Sequence, residues 1–217
     1  MTLTTVFYGN NADMIAAVSQ FYIKNGAVVA DVTYGMGAFW KKTDTSRFIL
    51  KATDLVTLRG ENRCDFRKLP YADLSIDVVV FDPPYTHNPG NHMTDARYKN
   101  KRTSKGMYHD DIMREFYKKG ITEAVRVIKA DGGQLWVKCK DEIESGVQRW
   151  SHIEIYRLGI EAGLFARDLF VVVPSSVTSA ARWKNQYHAR KTHSYLWVME
   201  KPGRLYRKQL MRSGIIS

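Results

Sequence analysis

Apolar positions recur at helical spacing in ADMIAAVSQFYIKNG (12–26), which predicts a helix ended by Gly26, and AVVADV (27–32) then reads as a short buried strand. Two further strand-like runs follow, RFILKATD (47–54) and IDVVVFD (76–82), at intervals long enough for crossover helices. HDDIMREFYKKGITEAVRVIKADGG (109–133) has the 3.6-residue period and a glycine stop, and QLWVKCK (134–140) is strand-like. VQRWSHIEIYRLGIEAG (147–163) reads as helix, with Gln148, Arg149 and Trp150 at its start, and ARDLFVVVP (166–174) and SYLWVME (194–200) are two last strands. Helices alternating with apolar strands predict an α/β fold around a mostly parallel sheet. The last two strands have only a basic loop between them, so they are expected to pair antiparallel. Residues 86–107 form a connection longer than most loops, a length that is usually functional or disordered.

Within that pattern, DVTYGMGAF runs a strand into Gly35 and Gly37, which permit a tight turn and close backbone approach by a ligand. The next strand ends on Asp54, 17 residues after Gly37. A carboxylate at that strand tip can accept both hydroxyls of a ribose. A Gly-x-Gly turn is equally compatible with a purely structural bend. The full dinucleotide fingerprint needs a third small residue, and position 40 is Trp, which counts against a nicotinamide cofactor. Asp65 falls where a third strand would end, placed to meet an adenine amine or to cap a helix.

The run VVVFDPPYTHNPGNH (78–92) stops on Asp82, stiffens at Pro83 and Pro84 and shows one aromatic, Tyr85. An exocyclic amine on a base has its lone pair delocalised into the ring and is a poor nucleophile. Two acceptors on its N–H groups would draw the nitrogen toward sp³ geometry and favour the transition state for alkylation. Asp82 supplies one acceptor and the Pro83 carbonyl the other, rigidly presented because proline restricts φ and donates no N–H. Tyr85 offers a stacking face, worth roughly 1–3 kcal/mol per base. Read singly, the four residues are also compatible with a bare turn, but the glycine turn, Asp54 and Asp82 all fall at the carboxyl edge of one sheet.

In these residues the sequence resembles the S-adenosylmethionine-dependent amino-methyltransferases acting on DNA adenine N6 or cytosine N4, over most of its length. DVTYGMG resembles the cofactor loop, Asp54 the ribose acid and DPPY the catalytic motif, in the order of the subgroup with no recognition domain between them. The resemblance implies a Rossmann-like class I methyltransferase fold, with a seven-stranded, mostly parallel sheet whose last strand is antiparallel, and one domain over 1–217 without a large target-recognition domain. It implies S-adenosyl-L-methionine as cofactor, held by Asp31, Thr33, Tyr34, Gly35, Gly37, Asp54, Leu55, Asp65, Phe66 and Asp82. A helix around Asn11 to Phe21 would cover the methionine end, and Asp82, Pro83, Pro84 and Tyr85 would be catalytic, acting on a base flipped from the duplex. The short chain implies relaxed target preference, a dimer or a partner subunit.

The formal charge of +11 changes the picture by favouring a polyanionic partner, DNA before RNA. Arg97, Lys99, Lys101, Arg102 and Lys105 follow the DPPY motif, and Arg182, Lys184, Arg190 and Lys191 lie between the last two strands, both placed to neutralise phosphates. A third basic cluster, RLYRKQLMR (204–212), reads equally as a solvated surface. Tyr98, Trp183, Tyr187 and His188 interleave with the first two clusters as stacking residues, whereas Phe116, Tyr117 and Trp150 read as core or surface packing. His87 and His92 lack further ligands at metal spacing, so no metal is expected. Cys64 and Cys139 read as reduced thiols, and the absence of a leader pattern or an apolar run near ~18 residues points to the cytoplasm and to no membrane contact. RNA or protein-glutamine methylation, or a catalytically silent nucleic-acid-binding subunit, are the competing expectations.

Overall fold

The computed structural model describes residues 2–84, 107–175, 187–203, 208 and 211–214. Seven strands form one sheet: β1 (Val6–Gly9), β2 (Val28–Asp31), β3 (Ile49–Ala52), β4 (Val78–Phe81), β5 (Gln134–Cys139), β8 (Phe165–Pro174) and β9 (Ser194–Glu200). Two shorter strands, β6 (Glu142–Glu144) and β7 (Val147–Arg149), make a separate hairpin. The spatial order is β1-β8-β9-β5-β4-β2-β3, and only β9 runs antiparallel to its neighbours. The central strands β4 and β5 are buried at every position, as expected for strands covered on both faces.

Alternation along the strands sorts their side chains between two cores. Val78 and Val80 of β4 and Trp136 of β5 face α1 (Asn11–Tyr22), with its Met14, Ile15 and Val18. Val79, Phe81, Leu135 and Val137 face a helical run made of α2 (His109–Ile112), a π-helical segment (Met113–Lys118) and α3 (Lys119–Val127), joined by α4 (Ser151–Glu161). Gly120 must be small there, because a Cβ would come within 2.4 Å of the Phe81 ring. Asn10 caps α1 by accepting from the backbone N–H groups of Ala12 and Asp13, at 2.9 and 3.2 Å.

Several elements differ from the sequence expectation. β1 is an additional strand, and it extends the sheet beside β8. α1 ends at Tyr22, one turn before Gly26, and Gly26 instead takes φ +76° in the bend leading to β2. The connections flanking β3 carry only 3₁₀ turns, at Ala38–Trp40, Thr45–Arg47 and Gly60–Asn62, and no strand ends at Asp65. The helical run from His109 stops at Val127 rather than at the glycines, because Ile128 leaves it to bridge with Ile76. Residues 147–149 are strand, not helix: Ser145 at φ +49° and Gly146 at φ +80° form a tight turn that folds β7 back on β6, and α4 begins only at Ser151.

Candidate functional site

Each of the neighbouring parallel strands β3, β2, β4 and β5 ends at or within two residues of an aspartate: Asp54, Asp31, Asp82 and Asp141. The carboxyl edge of the sheet therefore gathers acids from segments far apart in sequence. Asp31 is buried, with Oδ1 accepting from Thr33 N–H at 3.1 Å and Oδ2 from Trp40 Nε1–H at 2.7 Å. Burial pushes its carboxyl up to about 7 against those two bonds, and the charges of Asp82 and Asp54 add to the rise.

The loop after β2 turns on two left-handed residues, Gly35 at φ +56° and Gly37 at φ +69°. A side chain at Gly37 would also meet the Tyr34 hydroxyl at 2.6 Å, so Tyr34 folds over the loop it belongs to. Asp54 braces this turn from the next strand. Its Oδ2 accepts from Gly35 N–H at 3.0 Å, and its Oδ1 accepts from Val56 and Thr57 N–H at 2.8 and 2.7 Å. The Thr57 hydroxyl closes the ring by donating to the Gly35 carbonyl at 2.8 Å. Oδ1 is thus filled, and Oδ2 keeps one lone pair for a further donor such as a ligand hydroxyl. Leu55 stands partly exposed beside it.

Asp65 sits in a turn and not at a strand end. Both its oxygens are held by the Arg67 guanidinium, at 2.6 to 3.1 Å, which keeps its carboxyl below the usual range. Phe66 points into the core, 5.0 Å from the Phe81 ring and 5.7 Å from Phe116. Phe116 and Tyr117 are packing residues, as the sequence suggested.

Asp82 follows β4 directly, and its backbone N–H donates to the Thr33 hydroxyl at 2.7 Å, which ties the DPP segment to the glycine loop. Its Oδ1 is out of reach of solvent and has no hydrogen-bond partner among the described residues. Burial pushes the carboxyl up to about 6, held down by the positive charge of Lys138. Pro83 is buried and Pro84 half-buried, while Tyr85 lies outside the described residues. Sequence reasoning misses Lys138. It is fully buried on β5, and its Nζ also lacks a hydrogen-bond partner among the described residues. The available signal was its parity with Trp136, which places a lysine on an inward-facing position of an apolar strand.

Beyond β5 the edge is aromatic. Asp141 is buried and accepts from the backbone N–H of His152 at 3.2 Å, with His152 Nδ1 2.8 Å from the same oxygen. The His152 ring stacks on Tyr195 at 4.4 Å and 22°, and His193 Nε2 lies 2.7 Å from the Tyr195 hydroxyl. Burial, with the charge of Asp141 behind it, pushes that phenol up to about 12. Trp150 is half exposed, with Lys191 Nζ 5.6 Å from its ring centre. Arg190 is exposed and Lys191 half-buried. The remaining basic residues singled out from the sequence, Arg97, Lys99, Lys101, Arg102, Lys105, Arg182 and Lys184, lie outside the described residues. Cavities of about 370 and 360 Å³ lie away from the acids, one beside Tyr22 and Asp168 and one between Arg114 and Arg157. Among the described residues no cluster of three metal-ligating side chains forms, and no helix is long and apolar enough to cross a membrane.

No protein-family model and no curated protein matches the chain. Solved structures do. An S-adenosylmethionine-dependent methyltransferase of Methanosarcina mazei is 11% identical over 85% of this chain and 97% of its own, with a TM-score of 0.50. A proposed methyltransferase, solved in complex with the Haloferax volcanii Trm112 methyltransferase activator, is 16% identical over 83% of this chain and 84% of that one, also at 0.50. A proposed DNA modification methylase of Thermus thermophilus is 16% identical over 64% of this chain, at 0.42, and the chain spans about half (51%) of that protein's length. The chain has the Rossmann-like α/β fold of S-adenosylmethionine-dependent methyltransferases, with the mostly parallel seven-stranded sheet and antiparallel last strand that the sequence led us to expect.

Proposed function

We propose that this chain is an S-adenosylmethionine-dependent methyltransferase that modifies an exocyclic amine of a DNA base, adenine N6 in preference to cytosine N4. The observation that carries the reading is Asp82 Oδ1, a buried acceptor with no partner among the described residues, at the end of a central strand and bonded through its backbone to the glycine loop. A site that leaves one carboxylate oxygen dry and unsatisfied is built to receive an N–H donor.

The donor set suits the cofactor. Gly35 and Gly37 let the backbone approach closely, Asp54 Oδ2 has one lone pair free for a ribose hydroxyl, and Asp31 closes the loop from beneath. With the Asp65 carboxylate committed to Arg67, an adenine amine would fall to the backbone around Asp65 and Phe66. When bound, S-adenosylmethionine supplies an electrophilic methyl group. Asp82 would accept one N–H of the target amine and the Pro83 carbonyl the other, localising the nitrogen lone pair, and the carboxylate would then stabilise the charge that the nitrogen gains. The proline ring restricts the backbone, so the two acceptors keep their spacing. Tyr85 would stack on the base. Arg97, Lys99, Lys101, Arg102, Lys105, Arg182, Lys184, Arg190 and Lys191 would hold the phosphates, in keeping with the charge of +11. The preference for adenine follows the likeness of the DPPY motif to the adenine enzymes. A dimer or a partner subunit would add to target selection.

The test is to offer labelled S-adenosylmethionine with duplex DNA, structured RNA and protein, then digest labelled DNA to nucleosides and identify the product by mass. N6-methyladenine is the expected outcome. Label confined to RNA or to protein, or no transfer by a chain that binds the cofactor, overturns the assignment.

A further inference from the structure

Lys138 and Asp82 lie side by side on the sheet without touching. The register pairs Phe81 with Val137, so the next residues along these parallel strands are Asp82 and Lys138. Alternation then sends both side chains to the α1 face, in line with Val78, Val80 and Trp136. Both carry a buried polar atom with no hydrogen-bond partner, and no ion pair joins them, among the described residues. Lysine normally reaches water with its ammonium while its stem packs, but Lys138 is 0% exposed. A buried lysine with no hydrogen-bond partner among the described residues is costly, so its presence beside Asp82, whose Oδ1 is a buried, unpartnered carboxylate oxygen, needs a reason.

Resting on the function proposed above, we infer that Lys138 is a positioning residue that keeps the Asp82 carboxylate ionised across the gap between β4 and β5 while leaving its lone pairs free for the target amine. A direct salt bridge would stabilise the anion equally but would fill the acceptor that the amine needs. Separation by one strand spacing supplies the charge without occupying the oxygen. A protonated Asp82 would present a hydrogen instead of a lone pair, and the amine would lose one of its two acceptors.

Among the described residues, few other ionisable groups face Asp82. From β2 comes Asp31, whose two oxygens are already held by Thr33 and Trp40. From β5 come Lys138 and its chain neighbours Cys139 and Lys140, and from the glycine loop only the Thr33 hydroxyl, on the Asp82 backbone. β9 opposite Lys138 contributes Leu196, and α1 packs on this face with Met14, Ile15 and Val18. Lys138 is therefore the one buried lysine or arginine among the described residues of this face; burial pulls its ammonium below the usual lysine range, and the charge of Asp82 works against that fall.

The test compares Lys138→Met and Lys138→Arg with the parent protein. In Lys138→Met the acid limb of the methyl-transfer pH profile should move up by roughly one to two pH units, the effect of a unit charge one strand away at intermediate dielectric. In Lys138→Arg it should return toward the parent position. The ionisation of Asp82, followed by ¹³C carboxyl resonances without any turnover, should move in the same direction and by a similar amount. If the methionine variant does not fold, Asp82→Asn gives the reciprocal measurement: the Lys138 ammonium should titrate at lower pH once its counter-charge is gone. An unmoved Asp82 titration in Lys138→Met, or an unmoved Lys138 titration in Asp82→Asn, overturns the inference. Coupled titrations in a chain that methylates nothing would uphold the pairing of charges and reject the proposed function, so the two failures read differently.

Discussion

His109 at the start of α2 and Lys138 near the end of β5 are both removed from solvent, yet their surroundings differ. The His109 backbone N–H donates to Glu144 at 2.6 Å, its Nε2 lies 2.9 Å from Glu154, and its Nδ1 lies 3.6 Å from Glu142. Arg149 holds Glu144 from the other side, through Nε and Nη2 at 3.1 and 2.9 Å. Histidine, glutamates and arginine together fasten the first turn of α2 to the β6–β7 hairpin and to α4. Asp82 is half-buried and Lys138 fully buried, and neither Asp82 Oδ1 nor Lys138 Nζ has a hydrogen-bond partner among the described residues. A network whose valences are filled internally stabilises one arrangement of the chain; one whose valences are left unfilled is destabilised until something else fills them. The first cluster ties α2 to its neighbours, and the second is the one proposed above to receive a ligand.

The largest effect should come from emptying the open cluster. Asp82→Ala should lower methyl transfer by about 10³-fold, the scale seen when a single charge-stabilising group is lost, while cofactor affinity measured by calorimetry stays within a few-fold. Turnover close to that of the parent would remove the distinction between the two clusters. Next comes the first cluster: His109→Leu removes the imidazole that faces Glu154 and Glu142 and should cost about 2 kcal/mol in urea unfolding, with transfer per folded molecule nearly kept. A variant as stable as the parent would mean that the network holds nothing together.

The two clusters also separate by pH. Burial works against the charge on His109, but the nearby Glu142 carboxylate and Glu154, 2.9 Å from Nε2, outweigh it and push the imidazole up to about 9. The stability it contributes is fully present below its unfolded value, near 6.5, and is lost as pH rises through about 9. Asp82 and Asp31 are raised to about 6 and about 7, so the folded chain binds more protons than the unfolded chain from the ordinary carboxylate range up to neutrality. Stability should fall as pH rises through that window, while transfer that needs ionised Asp82 should fall as pH drops below about 6. Urea unfolding against pH should show two descending steps, of which His109→Leu removes only the alkaline one. The smallest effect belongs to the one satisfied acid of the open cluster. Trp40→Phe takes the donor from Asp31 Oδ2 and should cost about 1 kcal/mol, read from the unfolding midpoint.

Much of this arrangement is legible along the chain. The buried runs of β2, β4 and β5, the pair of glycines after β2 and the acid with two prolines after β4 are local patterns, governed by side-chain parity and turn stereochemistry within a few residues. They are enough to anticipate a mostly parallel sheet with a reversed last strand, and a glycine turn and acids gathered at its carboxyl edge. β1 escapes because four residues with alternating exposure carry too short a pattern, and residues 147–149 read as helix because the hairpin turn at Ser145 and Gly146 lies just ahead of an amphipathic helix.

What the sequence by itself determined is which segments become strands and which residues end them, since those choices depend on neighbours a few positions away. Which charges meet was decided by the tertiary structure alone. Asp54 bonds to Gly35 from the neighbouring strand, Glu144 and Glu154 meet His109 from 35 and 45 residues away, and Lys138 faces Asp82 from 56 residues further along, all through strand register and loop closure. Electrostatic interactions act through space at a few ångströms, so their partners are set by how the strands are laid beside one another and not by spacing along the chain.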